Sequence, residues 1–285
     1  MEIKKVGVIG AGTMGNGIAQ VTAAAGYDVV MTDIKEEFCA KGIDTISKSL
    51  DRQIKKGTLQ EAGKKEILGR IKTSININDV KDCHLVIESA PEILELKAGI
   101  FKQLETICSP ETILASNTSA LPISAIASAI KRKDKVIGIH FMNPVPMMKG
   151  VEVIISTHTS QDTITTSKDY VKKIGKEACE ARDYAGFIVS RLVDALINEA
   201  ILCVQDGNKP EEVDKAVKLC LAHPMGPLEL CDLAGSDIVL HGLETMHKEF
   251  GERLRPCPLL LSQVRSGQLG RKTNKGFYDY TQPAK

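Results

Sequence analysis

Residues 10–15 read Gly10-Ala11-Gly12-Thr13-Met14-Gly15, and Asp33 follows at the end of a second apolar run, residues 27–32. Glycines in the pattern GxGxxG, set between a β-branched run and an apolar-periodic segment, form a phosphate cradle. Gly10 lets the chain turn tightly, Gly12 lets backbone amides approach a pyrophosphate, and Gly15 lets a helix lie close on its strand. The start of that helix offers oriented N–H donors and partial positive charge. Asp33 stands where a carboxylate accepts hydrogen bonds from an adenosine ribose. The plain alternative is a tight βα turn followed by a surface aspartate. Position near the N-terminus, flanking elements and acid spacing together predict a bound dinucleotide. Asp33 repels a ribose 2′-phosphate and no Arg follows it closely, so NAD is favoured over NADP.

A second set of residues could move protons. His140 closes an apolar run, and Glu152 is the lone acid in the run VEVII. Imidazole suits proton transfer near neutrality, and a carboxylate among apolar neighbours is costly unless paired. A Pro-bearing loop separates the two runs and can fold one back on the other. Glu152 would then orient the imidazole and stabilise its protonated form, as the acid of a triad does. A nicotinamide enzyme acting on an alcohol needs such a base, and a group that holds the oxygen. Spacing alone leaves open whether the pair is catalytic or a satisfied structural histidine.

Other candidates are weaker. Lys48, Arg52, Lys55 and Lys56 fall on one helical face, read by default as solvated and otherwise as a basic edge for a phosphorylated ligand. Cys220, His223 and Cys231 match no tight zinc spacing, and no metal is expected. Cys39, Cys83, Cys108, Cys179 and Cys203 lie in apolar settings and are expected to be small core residues.

The elements that must position these groups alternate. Apolar runs at residues 6–9, 27–32, 85–87, 113–115 and 136–141 are separated by helical stretches, including one long polar stretch over 35–70, and the run at 151–155 follows the Pro-bearing loop. This predicts a mainly parallel, doubly wound Rossmann-like α/β sheet. Ligands bind beyond the carboxyl ends of such strands, where residues 88–91, 117–119 and 140–143 fall. After residue 186 helix follows helix, and residues 187–204 read as a long buried helix. The expected organisation is a dinucleotide-binding domain over 1–184 and an all-helical domain over 185–285.

Bulk properties agree with this reading. The 285 residues carry a net charge of +1, are 26% charged and 43% hydrophobic, and contain no Trp. No field or stacking platform points to nucleic acid, and no apolar run approaches membrane-spanning length. Eight cysteines occur without a CxxC pair. The chain enters its first strand with no room for a targeting segment, so a reducing cytoplasm is expected.

The stretches VGVIGAGTMGNGIAQ, ASNTSALPI, GIHFMNPVPMMKGVEVI, GFIVSRL, HPMGPLELCDLAGSD and LGRKTNKGFYDY resemble the 3-hydroxyacyl-CoA dehydrogenase family, and within it the short bacterial 3-hydroxybutyryl-CoA dehydrogenases. They run in the family's order along nearly the whole chain. The resemblance implies NAD-dependent interconversion of short-chain (S)-3-hydroxyacyl-CoA and 3-oxoacyl-CoA. It implies His140 as acid/base, Glu152 as its orienting partner, and Ser119 as hydrogen-bonding the substrate 3-oxygen. Glu92, Lys97, Ser119, Asn143 and Lys272 match cofactor-contacting positions, although Lys97 and Lys272 also read as surface lysines. Ser49 and Lys56 match CoA-contacting positions, which promotes the basic helix to a ligand edge. The helical domain resembles a dimerisation domain, so a homodimer is implied. Related sugar-acid dehydrogenases and non-catalytic NAD-binding crystallins are the alternatives. One departure matters: Ser190 stands where the family has Asn, and Ala185 where it has Pro.

Overall fold

The computed structural model describes residues 2–281. The chain divides between Asp183 and Tyr184 into two units. The first contains β1 (Lys5–Ile9), α1 (Thr13–Ala24), β2 (Asp28–Thr32), α2 (Glu36–Lys55), α3 (Glu61–Gly69) and β3 (Ile71–Ser74). These are followed by β4 (Leu85–Glu88), α4 (Leu94–Ile107), β5 (Ile113–Ser116), α5 (Ile123–Ala127), β6 (Val136–Phe141), β7 (Gly150–Ile155), α6 (Gln161–Lys173) and β8 (Glu177–Arg182).

The strands form one eight-stranded sheet in the order β3-β2-β1-β4-β5-β6-β7-β8. Every neighbouring pair is parallel except β6–β7. The expected Rossmann-like sheet is therefore present, with its switch in strand order between β1 and β4, the kind of crevice where ligands bind in such sheets. β4, β5 and β6 are buried along their whole length. That is why they read as unbroken apolar runs: a parallel sheet covered on both faces leaves no strand side for water.

Side-chain parity decides what each face carries. Val6, Val8, Val29, Met31, Leu85, Ile87, Ile137, Ile139 and Val153 join one core with Ile18 and Ala19 of α1, Ile46 and Leu50 of α2, and Val171 of α6. The intervening residues face the other way. A Cβ at Gly138 would lie 2.7 Å from Ile154 and 2.9 Å from Ile123, so α5 packs tightly on that second face. By the same alternation His140 and Glu152 share the face of Gly138 and Ile154.

Residues 35–70 depart from the single helical stretch expected. Gly57 takes φ +71° after α2, and α3 begins only at Glu61. The short edge strand β3 was not anticipated, because its exposed Lys72 and Thr73 give it no apolar signal. Two cysteine expectations also fail: Cys179 and Cys203 are exposed, whereas Cys39, Cys83 and Cys108 are buried. Cys179 lies on the edge strand β8, which has a neighbour on one side only.

The second unit is helical: α7 (Val189–Gln205), α8 (Pro210–Cys220), α9 (Pro227–Ala234), α10 (Ser236–Phe250) and α11 (Pro258–Arg265). Ile197, Ile201, Leu228, Cys231, Leu243, Met246 and Leu260 form its core. α9 and α11 have only eight residues each, too few for periodicity to reveal them. α7 is amphipathic rather than buried throughout, since Leu192 is 67% exposed. Two buried carboxylates hold the last segment in place. Asp214 accepts the N–H groups of Leu228 and Glu229 and the hydroxyl of Tyr278. Asp232 accepts the N–H groups of Phe277 and Tyr278 and the hydroxyl of Tyr280.

Candidate active site

The glycine loop leaves β1 and enters α1, and its three glycines have three different structural reasons. Gly10 has φ +102°, and a Cβ there would lie 2.7 Å from the Ser89 carbonyl oxygen. A Cβ at Gly15 would sit 1.8 Å from the Gly10 carbonyl oxygen, so only glycine lets the helix dock. A Cβ at Gly12 would meet no protein atom within 4 Å. Gly12 is also the N-cap of α1, no side chain caps that end, and no acid occupies the first turn. An open position beside uncapped amide donors fits an anionic pyrophosphate. Asp33 accepts the Ala11 N–H through Oδ2 at 2.7 Å and the Ile34 N–H through Oδ1 at 2.7 Å. Its carboxylate keeps further lone pairs for ribose hydroxyls. The residues present thus fit an NAD molecule at the β1–α1 turn.

The ends of β4 and β5 carry a buried ionic array. Lys97, on α4, is 1% exposed, so its reading as a surface lysine is overturned. It is buried because Glu88, at the end of β4, meets its Nζ at 2.8 Å, and Glu92 meets it at 3.3 Å. Glu92 turns its other oxygen toward the loop after β5, accepting the Thr118 hydroxyl and the N–H groups of Ser119 (3.0 Å) and Ala120 (3.1 Å). Burial works against its charge, but Lys97 and these three donors outweigh burial and hold the Glu92 carboxyl below the ordinary carboxylate range. Ser119 itself is exposed.

His140 and Glu152 are directly opposed across the antiparallel β6–β7 pair. The imidazole Nδ1 and Glu152 Oε2 are 2.7 Å apart, with both side chains buried. Asn117 couples this end of β6 to the neighbouring strand end: its Oδ1 accepts the Phe141 N–H at 2.8 Å. The following loop carries Asn143, which is exposed. It is anchored from two sides. The buried Lys176 donates through Nζ to the carbonyls of Val145 and Met148, and burial lowers the Lys176 pKa. Val145 rests on Gly17 of α1, where a Cβ would approach to 2.8 Å. Parallel pairing from β1 through β6 brings the glycine loop, residues 88–92, residues 117–119 and His140 to one edge of the sheet.

The profile described as 3-hydroxyacyl-CoA dehydrogenase, NAD binding domain, matches residues 5–184. The 3-hydroxyacyl-CoA dehydrogenase C-terminal domain matches residues 186–280. The chain belongs to the 3-hydroxyacyl-CoA dehydrogenase family. It is 46% identical over 280 residues to the 3-hydroxybutyryl-CoA dehydrogenase of Bradyrhizobium diazoefficiens, covering 98% of this chain and 96% of the relative. Among solved structures, FadB2 of M. tuberculosis matches at TM-score 0.96 and 39% identity, over 99% of this chain and 100% of that one. The (S)-3-hydroxybutyryl-CoA dehydrogenase of Ralstonia eutropha matches at TM-score 0.94 and 43% identity, again over 99% and 100%.

The remaining positions singled out by resemblance to 3-hydroxyacyl-CoA dehydrogenases are dispersed. Ser49 is half-buried on α2, and Lys56 is the exposed cap of that helix. Lys48 is held by Asp44 at 2.6 Å, so it is less available to a ligand than its helical position suggests. In the helical unit Ser190 lies in the first turn of α7, and Lys272 donates to Asp237 Oδ2 at 2.6 Å. Among the described residues no group of three or more His, Cys, Asp or Glu is arranged to hold a metal ion. No described helix is long and apolar enough to cross a membrane. Sequence reasoning placed Glu88 and Asn117 only within strand-end stretches, with no individual role, and did not single out Lys176. Glu88 carried a signal like that of Glu152, a lone acid beside apolar strand residues; Asn117 carried only its strand-end position, and Lys176 none.

Proposed function

We propose that the protein interconverts short-chain (S)-3-hydroxyacyl-CoA and 3-oxoacyl-CoA with NAD, the four-carbon pair (S)-3-hydroxybutyryl-CoA and acetoacetyl-CoA foremost. The observation that carries this is the buried His140–Glu152 pair at a strand end, on the sheet edge that also holds the glycine loop. When bound, NADH supplies a hydride to C3 of the substrate. The cradle of Gly10, Ala11, Gly12, Thr13, Met14 and Gly15, with Asp33, holds the cofactor; Glu92 and Asn143 extend this surface, whereas Lys97, 1% exposed, supports it from beneath through Glu92 rather than touching the cofactor itself. Lys272 matches a cofactor-contacting position of the family. Protonated His140 donates its proton to the C3 oxygen as the ketone becomes an alcohol, and neutral His140 takes it back in oxidation. Glu152 fixes the ring's orientation through Nδ1 and stabilises the imidazolium. Ser119 holds the C3 oxygen, and Ser190 stands where the family's Asn also orients the substrate. Ser49 and Lys56 form the CoA edge.

Two broader readings accompany this one. The helical unit exposes Leu192, Leu219, Leu221 and Ile238, each at least 59%, and with the family resemblance this apolar exposure supports a homodimer. All eight cysteines are free thiols, which supports a reducing, cytoplasmic setting. The deciding experiment is NADH consumption by the purified protein with acetoacetyl-CoA, beside 3-oxoacyl-CoA chains of eight and sixteen carbons, and with NADPH in place of NADH. Rapid turnover of the four-carbon substrate with NADH is expected; absence of turnover with any acyl-CoA refutes the reading.

A further inference from the structure

Glu88 is completely buried at the end of β4 and cannot touch a ligand, yet its ion pair with Lys97 leads through Glu92 to the Ser119 amide. Its Oε1 accepts the Lys97 ammonium at 2.8 Å and the Ala90 N–H at 2.6 Å. Its Oε2 accepts the hydroxyl of Ser116 at 2.6 Å, and Ser116 is the residue opposite it at the end of β5. Lys97 also donates to the Ala90 carbonyl at 3.0 Å and meets Glu92 Oε2 at 3.3 Å. Glu92 Oε1 accepts the Thr118 hydroxyl and the amides of Ser119 and Ala120, and Thr118 Oγ1 accepts the Leu121 N–H at 3.0 Å. Three consecutive amides, 119 to 121, are thus taken up by two side chains. A loop outside regular structure has soft dihedrals; this one is held at each residue while the Ser119 side chain stays exposed.

A buried ion pair is poor value as a stabiliser, because desolvation offsets its attraction and apolar replacements often do as well. What such an array supplies is geometry. A reacting group has to be held within about 0.5 Å of its productive position, and a displacement of about 1 Å can cost about a hundredfold in rate. We propose that Glu88 is a positioning residue that acts through Lys97 and Glu92 to fix the backbone of residues 118–121 and so place the Ser119 hydroxyl against the substrate oxygen. This rests on the role given to Ser119 under the proposed function. It goes beyond the family resemblance, which assigns Glu92 and Lys97 to cofactor contact and gives Glu88 no part.

The test is a double-mutant cycle joined to amide exchange. Glu88→Gln keeps the shape and removes the charge that holds Lys97. It is expected to lower kcat for acetoacetyl-CoA about tenfold in the wild-type background, and by less than about twofold when Ser119 is already Ala. Exchange of the amides of residues 119–121 is expected to accelerate in Glu88→Gln. Equal penalties in both backgrounds, or unchanged exchange, overturn the proposal; a merely structural loss is additive. If Glu88→Gln does not fold, Glu88→Asp enters the same cycle, because it keeps the charge in the buried site but shortens the reach to the Lys97 ammonium. A wild-type protein inactive on acetoacetyl-CoA refutes the assigned function, and amide exchange then decides the clamp by itself.

Discussion

Glu152 stands opposite His140 in the β6–β7 register, with Oε2 2.7 Å from the imidazole Nδ1. Cross-strand registry, not loop geometry, makes the contact, so the pair is as rigid as the sheet. His140→Gln is expected to lower kcat by about a thousandfold while NADH binding persists, since a positioned acid/base contributes about 10²–10⁴. Glu152→Gln, which keeps a hydrogen-bonding partner without the charge, is expected to cost about a hundredfold or more. Steady-state kinetics with fluorescence titration of NADH checks both, and near-normal turnover in His140→Gln refutes the mechanism.

The glycine loop separates binding from folding. Gly12 has φ −65° and open space at its Cβ position, so Gly12→Ala is expected to fold with an unchanged melting temperature. Its methyl group would occupy the phosphate's approach, and NADH affinity is expected to fall by about tenfold or more. Gly15→Ala drives a methyl into the Gly10 carbonyl and is expected to lose both stability and affinity. Thermal melts beside NADH titrations distinguish the two; an identical phenotype contradicts this account.

Asn117 joins the strand end that leads to Ser119 to the strand that carries His140. Asn117→Ala leaves the buried Phe141 N–H without its acceptor, at a cost of about 1–3 kcal/mol. A lower melting temperature is expected together with a lower kcat. A variant that melts like the wild type shows that the bond does not matter.

Asp194, on α7, is only 8% exposed, and burial pushes its carboxyl up to about 7. Gly242 of α10 makes room for it, because a Cβ there would lie 2.4 Å from Asp194 Oδ2. The folded pKa exceeds the unfolded one, so the native state holds the proton more strongly than the unfolded chain does. Stability is expected to rise as pH falls from about 7 toward about 4, and to be lowest above that window. Asp194→Asn is expected to flatten this contribution and raise the melting temperature near about pH 8. Parallel melts of both proteins across the range test the sign; the same slope in each rules Asp194 out.

Ser190 is the one active-site candidate that departs from the family's residue. A hydroxyl is shorter than a carboxamide and lacks its N–H donors. Restoring the family's residue with Ser190→Asn is expected to raise kcat/KM for acetoacetyl-CoA by up to about a hundredfold, the scale of one oriented hydrogen bond in such a site. A variant neither faster nor tighter shows that Ser190 is no handicap.

The local rules in this chain were legible without coordinates. Gly10, Gly12 and Gly15 answer demands made by a few neighbouring backbone atoms, and such demands leave a fixed spacing in the sequence. The covered parallel strands announce themselves as unbroken apolar runs. Chemistry also drew attention to His140 and Glu152, since a lone acid in an apolar strand asks for a partner. What sequence could not supply was burial and pairing set by distant segments. Lys97 reads as a surface lysine until β4 places Glu88 against it. Cys179 reads as a core residue until β8 proves to be the sheet edge, and β3 is invisible because an edge strand needs no apolar face. The joining of Glu92 to Ser119, and of Asn117 to Phe141, spans more than twenty residues in each case. Only the closed sheet brings those atoms within bonding distance, and a hydrogen bond between remote residues imposes no spacing that the chain must display.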